Sequence, residues 1–148
     1  MLKVGVDFDG TLADWHHAET INNLVKTLIK GGAEIWIVTA RTKMPIEKYD
    51  KLINNDLYLI AKELGIPDER IIMTDMEFKY QFMKEKGITI LIDDNWEMIA
   101  DVNWEGGCGL FIDYNPFDKD LQLDIKTKQE KYRKEFIDKL KQENENRI

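Results

Sequence analysis

Short apolar runs alternate along the chain with segments whose apolar residues recur at helical spacing. Residues 2–6 form the first run, which ends in carboxylates and Gly10 and predicts a strand. A helix that ends at Gly31 and Gly32 is predicted next. Its apolar positions, spaced i, i+3, i+4, i+7 and i+8, are Ile21, Leu24, Val25, Leu28 and Ile29. Residues 34–38, rich in β-branched and aromatic side chains, predict the second strand.

The alternation continues to residue 112. Apolar periodicity over residues 49–64 predicts one long helix, closed by Gly65 and Pro67. The later elements are a strand at 71–73, a helix at 77–86, a strand at 88–92, a helix at 96–105 and a strand at 110–112. Five strands separated by helices favour an α/β fold with a parallel five-stranded sheet and helices on both faces, because each crossover must cover a face.

The C-terminal part of the chain differs in composition. From residue 118 onward it is rich in charge, with the sparse apolar positions Tyr132, Phe136, Ile137 and Leu140. This pattern predicts a helix with one narrow apolar stripe, which packs on the body or on a second subunit of a homo-oligomer. We therefore divide the chain into a core at 1–117 and a helical tail at 118–148, with residues 142–148 expected to fray.

Length and composition describe a globular chain. The 148 residues fit one domain, and 43% hydrophobic with 33% charged residues is typical of a soluble protein. No window approaches the roughly 18 apolar residues of a membrane span, so we expect no membrane partner. The single cysteine, Cys108, fits a reducing cytoplasm, where we expect the protein. We interpret it as a small buried or loop thiol, because His16 and His17 are too far away in sequence to activate it.

The net charge of −7 argues against non-specific binding to duplex nucleic acid, which depends on Lys and Arg. Residues 118–148 contain nine Lys or Arg and eight Asp or Glu, so the acidity belongs to the first 117 residues. A small phosphorylated ligand remains compatible with this charge.

Polar residues follow three of the predicted strands. They are Asp7, Asp9, Gly10 and Thr11 after the first strand, Thr39 and Arg41 after the second, and Asp93 and Asp94 after the fourth. In open α/β sheets ligands bind at the carboxyl ends of the strands, so these residues predict a site. Two carboxylates about 4 Å apart repel by roughly 4 kcal/mol at an effective dielectric near 20, so a cation is required. Carboxylates combined with a substrate phosphate are the ligands typical of Mg²⁺.

Four segments carry a family resemblance. DFDGTLAD (residues 7–14), IVTAR (37–41), Lys79 and ILIDDN (90–95) resemble the four ordered motifs of the haloacid dehalogenase-like phosphohydrolase superfamily. The match covers about residues 2–112. The resemblance implies a three-layer Rossmann-like fold. The intervals that hold cap domains in this superfamily, here 13–34 and 42–78, contain only elements that the sheet needs, so no large cap domain is expected.

The resemblance implies that Asp7 is the nucleophile that forms an aspartyl-phosphate and that Asp9 is the general acid and base. An acid at the second position is typical of the phosphatases of the superfamily and disfavours its dehalogenases and ATPases. Positions two apart on a strand face the same way, so both carboxylates are expected to face one pocket, and Gly10 allows the chain to turn.

The resemblance makes Thr39 a hydroxyl donor to a phosphoryl oxygen and Lys79 the neutralising cation. Lys84 and Lys86 are the alternatives for this cation, and we interpret them as a solvated face.

The resemblance also implies the Mg²⁺ ligands. These are Asp7, Asp93 and the main-chain carbonyl of Asp9, with Asp94 as a further ligand or the holder of an outer water.

Five residues are predicted to contact substrate: Gly10, Thr11, Trp15, Ala40 and Arg41. Arg41 either clamps a substrate phosphate or forms a surface salt bridge.

Five further positions are interpreted structurally. Asp14 is interpreted as a helix N-cap, and His16 and His17 as exposed first-turn residues, with a substrate-facing position as the alternative for one histidine. Trp15 and Trp104 either stack on a base or cover the core, and the core is favoured.

The function implied is a Mg²⁺-dependent phosphatase that acts on nucleotides. The sequences of these motifs resemble those of 5′(3′)-nucleotidases and also those of the 3′-phosphatase module of polynucleotide kinases. Two alternatives stay open: a polynucleotide 3′-phosphatase that repairs nucleic-acid ends, and a non-catalytic phosphate-binding or scaffold protein on the same fold.

Overall fold

The structure, a computed structural model, describes residues 1–14, 17–112 and 119–146, with the backbone alone for residues 119–125. The strands are β1 (Lys3–Val6), β2 (Glu34–Thr39), β3 (Ile71–Met73), β4 (Ile90–Asp93) and β5 (Cys108–Phe111). The helices are α1 (Ala18–Lys30), α2 (Glu47–Ile53), α3 (Asn55–Leu64), α4 (Tyr80–Glu85), α5 (Trp96–Trp104) and α6 (Lys119–Glu145). A single 3₁₀ turn, Asp68–Arg70, precedes β3.

The five strands form one parallel sheet in the order β3-β2-β1-β4-β5. β1 lies at the centre, where Val6 is in register with Ile37 of β2 and with Ile92 of β4. The chain runs from β1 outward through β2 to β3, and then returns to the other side of β1 with β4. The direction of winding therefore reverses between β1 and β4, the position where such sheets bind ligands.

Alternating side chains of the strands build two hydrophobic cores. Ile35 and Ile37 of β2 face one side of the sheet, whereas Trp36 and Val38 face the other. Helices α1 and α3 cover the first face with Val25, Leu57 and Ala61, and helices α4 and α5 cover the second with Met83, Ile99 and Val102. The predicted three-layer, Rossmann-like α/β arrangement without a large cap domain is confirmed.

The predicted long helix at 49–64 is two helices, separated at Asn54. The break surrounds Asp50, whose buried carboxylate accepts hydrogen bonds from the Met44 amide, the Asn54 side chain and the Tyr58 hydroxyl. Burial alone would raise the pKa of Asp50, but these hydrogen bonds, that of Tyr58 first, lower it below its usual range. Apolar periodicity continues through Asn54, so it does not reveal the break.

Two predictions at the far edge of the sheet were wrong. Trp104 is 89% exposed and does not cover the core. It lies two residues after the buried Val102, and therefore roughly 200° further around α5. Cys108 is an exposed residue that begins the edge strand β5, and it is neither buried nor in a loop.

The tail forms the long helix α6, as its pattern predicts, and this helix continues to Glu145. Residues 147–148, part of the segment expected to fray, lie outside the described residues, as do Trp15 and His16. Across the described residues, no helix has the length and apolar character needed to cross a membrane.

Candidate active site

The predicted site residues meet where β1 and β4 end. The amide of Asp7, the first residue after β1, donates to the carbonyl of Ile92 at 2.9 Å, so the pairing of the two strands extends to this residue. Asp93 is the last residue of β4, and its Oδ1 accepts the amide of Asn95 at 2.9 Å. Strand pairing therefore places the carboxylates of Asp7 and Asp93 side by side.

Lys79 lies between these two carboxylates. Its Nζ is 2.7 Å from Oδ1 of Asp7 and 2.7 Å from Oδ2 of Asp93. Asp7, Lys79 and Asp93 are 5%, 2% and 1% exposed, so all three charges have left water. Lys84 and Lys86, the alternatives considered for this cation, are exposed.

The loop before α4 fixes the position of Lys79. Its residues are bonded to the segment after β2: the amides of Thr74 and Met76 donate to the carbonyls of Thr39 and Ala40, each at 2.8 Å. Asp75 and Met76 have φ values of 54° and 66°, an unusual conformation for residues other than glycine. Residues 77–79, which follow this turn, are not helical, so α4 begins at Tyr80 and not at residue 77 as predicted.

Asp94 completes an acidic group. Carboxylate oxygens of Asp7, Asp93 and Asp94 all lie within 4.8 Å of one another, an arrangement that could hold a metal ion. Gly10 lies against this group with a φ of 81°, and a Cβ added there would be 2.3 Å from Oδ2 of Asp94. Glycine is therefore required at this position for both conformational and steric reasons.

Burial governs the electrostatics of the group. It raises the pKa of Asp7 well above its usual range, Lys79 opposes this shift, and the charges of Asp93 and Asp94 add to it. Burial would lower the pKa of Lys79, but Asp7 and Asp93 outweigh this effect and raise it. Three carboxylates around one ammonium leave two negative charges uncompensated when all are ionised, which favours a divalent cation.

Asp9 makes different contacts from Asp7. Its two carboxylate oxygens accept from Nε and one terminal nitrogen of Arg41 at 2.9 and 2.8 Å, and Arg41 also donates to both oxygens of Asp56 at 2.5 and 2.7 Å. Burial alone would raise the pKa of Asp9, but the hydrogen bonds and charge of Arg41 lower it. The side chain of Arg41 is only 17% exposed, so the surface salt bridge considered for it is not what the structure contains.

The predicted hydroxyl groups are both buried. Oγ1 of Thr11 donates to Oδ2 of Asp7 at 3.1 Å, which helps to orient that carboxylate. Oγ1 of Thr39, at the end of β2, accepts the amide of Arg41 at 3.3 Å. Ala40 lines a cavity next to Asp9.

Two predictions in the first loop were wrong. Asp14 is not the N-cap of α1, because His17 precedes the first helical residue. Asp14 has a φ of 68° and directs its carboxylate toward Arg133 of α6, at 3.6 Å. His17 is half-buried, and its Nε2 is 2.7 Å from the carbonyl oxygen of Gly10. Both differences have one physical cause. Three successive amides donate to the carbonyl of Phe8 and form a tight turn, and this turn delays the start of α1.

Three features were missed by the sequence reasoning. Asp56, the second partner of Arg41, lies in the first turn of α3, where acidic residues are common. Arg133 is one of nine Lys or Arg in the tail, and the sequence around it does not distinguish it from the other eight. A cavity of about 1360 Å³ adjoins Asp9 and Arg41, and its wall includes α6. The spacing of residues along the chain does not predict any of these three features.

Scans against protein-family models and against curated proteins found no match to this chain.

Proposed function

We propose that this protein hydrolyses phosphate monoesters through an aspartyl-phosphate on Asp7, as its resemblance to haloacid dehalogenase-like phosphohydrolases implies. The observation that carries the proposal is the buried ion-paired group of Asp7, Lys79 and Asp93 at the reversal point of the sheet. Removing three charges from water is costly, and replacing such groups by apolar residues often stabilises a protein. Their presence at the ligand-binding edge therefore favours a chemical role.

The acidic group fits a magnesium ion. Asp7, Asp93 and Asp94 offer only carboxylate oxygens, the ligand type that Mg²⁺ prefers, and Lys79 leaves negative charge for a divalent cation to neutralise. These three residues would hold the ion. When bound, it would supply charge neutralisation for the phosphoryl group and the attacking carboxylate.

The reaction has two steps on the residues of this chain. In the first, a carboxylate oxygen of Asp7 attacks phosphorus, the bond from phosphorus to the leaving oxygen breaks, and Asp9 gives its proton to that oxygen. In the second, water attacks the phosphorus of the aspartyl-phosphate, Asp9 takes the proton from that water, the bond from phosphorus to the Asp7 oxygen breaks, and inorganic phosphate leaves with the Asp7 carboxylate restored. Lys79 stabilises the charge that develops on the transferring group.

Asp9 must be protonated for the first step, whereas Arg41 and, more weakly, Arg133 of α6 hold its pKa below the usual range in the structure. A substrate phosphate would remove the larger of these two effects, because a guanidinium binds phosphate and carboxylate with the same paired geometry. We therefore propose that the phosphoryl group draws Arg41 away from Asp9, so that the pKa of Asp9 rises when substrate arrives. Arg41 would then act as the phosphate clamp.

A mononucleotide is the substrate class we favour. The cavity beside Asp9 is far larger than a phosphate group requires, and the acidic body disfavours a polyanionic strand. A polynucleotide 3′-phosphatase is the second candidate, and only the resemblance of the motif sequences supports it.

The test is a panel of 5′- and 3′-mononucleotides, sugar phosphates and 3′-phosphorylated oligonucleotides, each ranked by kcat/KM with and without Mg²⁺. We expect Mg²⁺-dependent release of phosphate, with mononucleotides ranked first. The absence of turnover for every ester at saturating Mg²⁺ would contradict the proposal and favour a non-catalytic phosphate-binding protein.

A further inference from the structure

Helix α6 and the carboxyl edge of the sheet line an open cavity of about 1360 Å³ between them. One wall comes from the core, through the loop after β2 and through α2 and α3. The other wall is the apolar stripe of α6. Apolar side chains on the two walls include Leu52, Ile60 and Met76 from the core, and Tyr132, Phe136 and Leu140 from α6.

Helix α6 also reaches the site itself. A terminal nitrogen of Arg133 lies 3.2 Å from Oδ1 of Asp9 and 3.6 Å from Oδ2 of Asp14. One turn earlier on the helix, Nε2 of Gln129 would be 3.3 Å from a Cβ built on Gly10. The helix therefore passes directly over the turn that carries Asp9 and Gly10, and Arg133 ties it there.

We propose that α6 takes the place of a cap domain and forms the outer wall of a pocket for the organic leaving group of the substrate. The inference rests on the function proposed above and specifies its substrate. Asp9 lies on the boundary between the acidic group and the cavity, since it lines the cavity and follows Asp7 by two residues. A residue that protonates the leaving oxygen must face the leaving group, so that group extends into the cavity.

The chemistry of the walls identifies the leaving group as a nucleoside. Aliphatic side chains on the core wall and the aromatic rings of Tyr132 and Phe136 on the α6 wall suit a flat ring system, whereas a sugar alone would leave them facing polar hydroxyls. The volume exceeds the range of about 300–1,000 Å³ typical of small-molecule pockets, so a nucleoside fits without any rearrangement of the core.

Two esters with equivalent leaving oxygens test the pocket. A 5′-mononucleotide and glycerol 3-phosphate both release a primary alcohol, so they differ in the organic group and not in the chemistry at phosphorus. In the full-length protein, Phe136→Ala and Leu140→Ala should each lower kcat/KM for the nucleotide about tenfold. The value for glycerol 3-phosphate should stay within about twofold of wild type.

Lys134→Ala is the matched control, since Lys134 lies on α6 next to Arg133, is exposed and does not line the cavity. It should leave both substrates unaffected. An equal loss for both esters, or no loss for the nucleotide in Phe136→Ala and Leu140→Ala, would overturn the inference.

Failure of the phosphatase proposal would be seen separately, as the absence of turnover by the wild-type protein for both esters. Calorimetric titration with the same nucleotide then shows whether the nucleotide binds in the pocket. Binding to wild type that Phe136→Ala weakens about tenfold would support the pocket, and unchanged binding or none would refute it.

Discussion

At the scale of single residues, the site is defined by charges that the protein holds away from water. Lys79 bridges Asp7 and Asp93, while Arg41 bridges Asp9 and Asp56. The two cations have different roles in our account. Lys79 is a point charge that neutralises the attacking carboxylate, and Arg41 is a planar group that substrate phosphate can engage.

Lys79→Met tests the ion-paired group. The substitution leaves buried carboxylates without their ammonium, so the free energy of unfolding in EDTA should fall by about 3–5 kcal/mol. Added Mg²⁺ should restore much of this loss by neutralising the same carboxylates. Denaturant melts in EDTA and in Mg²⁺ measure both effects. Lys84→Met, on the exposed side of α4, is the control, and equal melts for the two variants would contradict the geometry.

Asp50 provides a pH-dependent prediction outside the site. Its pKa is lowered in the folded protein, so it stabilises the fold above its unfolded pKa of about 3.9, and this stabilisation is lost as pH falls through the folded value. Asp50→Asn should therefore cost about 2 kcal/mol at neutral pH, and the difference from wild type should shrink progressively below about pH 4. Urea melts across this pH range measure it; a difference independent of pH would count against the assignment.

At the scale of elements, the sequence was informative where one type of periodicity lasts for a whole element. All five strands were placed, and the carboxylates after β1 and β4 were correctly expected at one edge of the sheet. The break at Asn54 was not predicted, because buried hydrogen bonds around Asp50 interrupt a helix whose apolar spacing continues. The contacts of Asp14 and Arg133 were missed for a related reason. Each is decided by a partner more than 100 residues away, which no local pattern encodes.

The turn between β1 and α1 allows a matched pair of substitutions. Gly10 and Gly32 both have positive φ, but a Cβ at Gly32 would meet nothing within 4 Å, whereas one at Gly10 would collide with Asp94. Each alanine should cost about 1 kcal/mol through backbone strain. Gly10→Ala should in addition abolish most of the stabilisation by Mg²⁺, which for wild type is about 2.7 kcal/mol at a hundred times the dissociation constant.

Thermal melts with graded Mg²⁺ separate these two effects. If Gly10→Ala and Gly32→Ala retain the same response to Mg²⁺, Asp94 does not contribute to a metal site in the way we describe.

At the scale of the whole molecule, an acidic body surrounds the site for which we propose a phosphate ester as substrate. In the proposed function, Lys79, Arg41 and a divalent cation would attract a single phosphate, whereas the net charge of −7 would repel a strand. The position of α6 over the site adds the wall that we propose for the leaving group, in place of a folded cap.

Salt dependence distinguishes the two candidate substrates. The slope of log affinity against log salt approaches about −0.7 for each phosphate neutralised on a single strand. Mononucleotide KM should therefore change little between low and moderate salt, because few phosphates are involved. A preference of tenfold or more in kcat/KM for 3′-phosphorylated oligonucleotides, with a steep salt slope, would favour the repair of nucleic-acid ends instead.

The central claim is that Asp7 becomes covalently phosphorylated during turnover. Its most direct test is mass spectrometry of protein quenched in acid while it hydrolyses a mononucleotide in Mg²⁺. We predict one phosphoryl group on the peptide that contains Asp7, and both the modification and nearly all turnover should be lost in Asp7→Asn, whose folding a thermal melt verifies. Turnover by Asp7→Asn at more than a few per cent of the wild-type rate, or a phosphoryl group on a different peptide, would contradict the account.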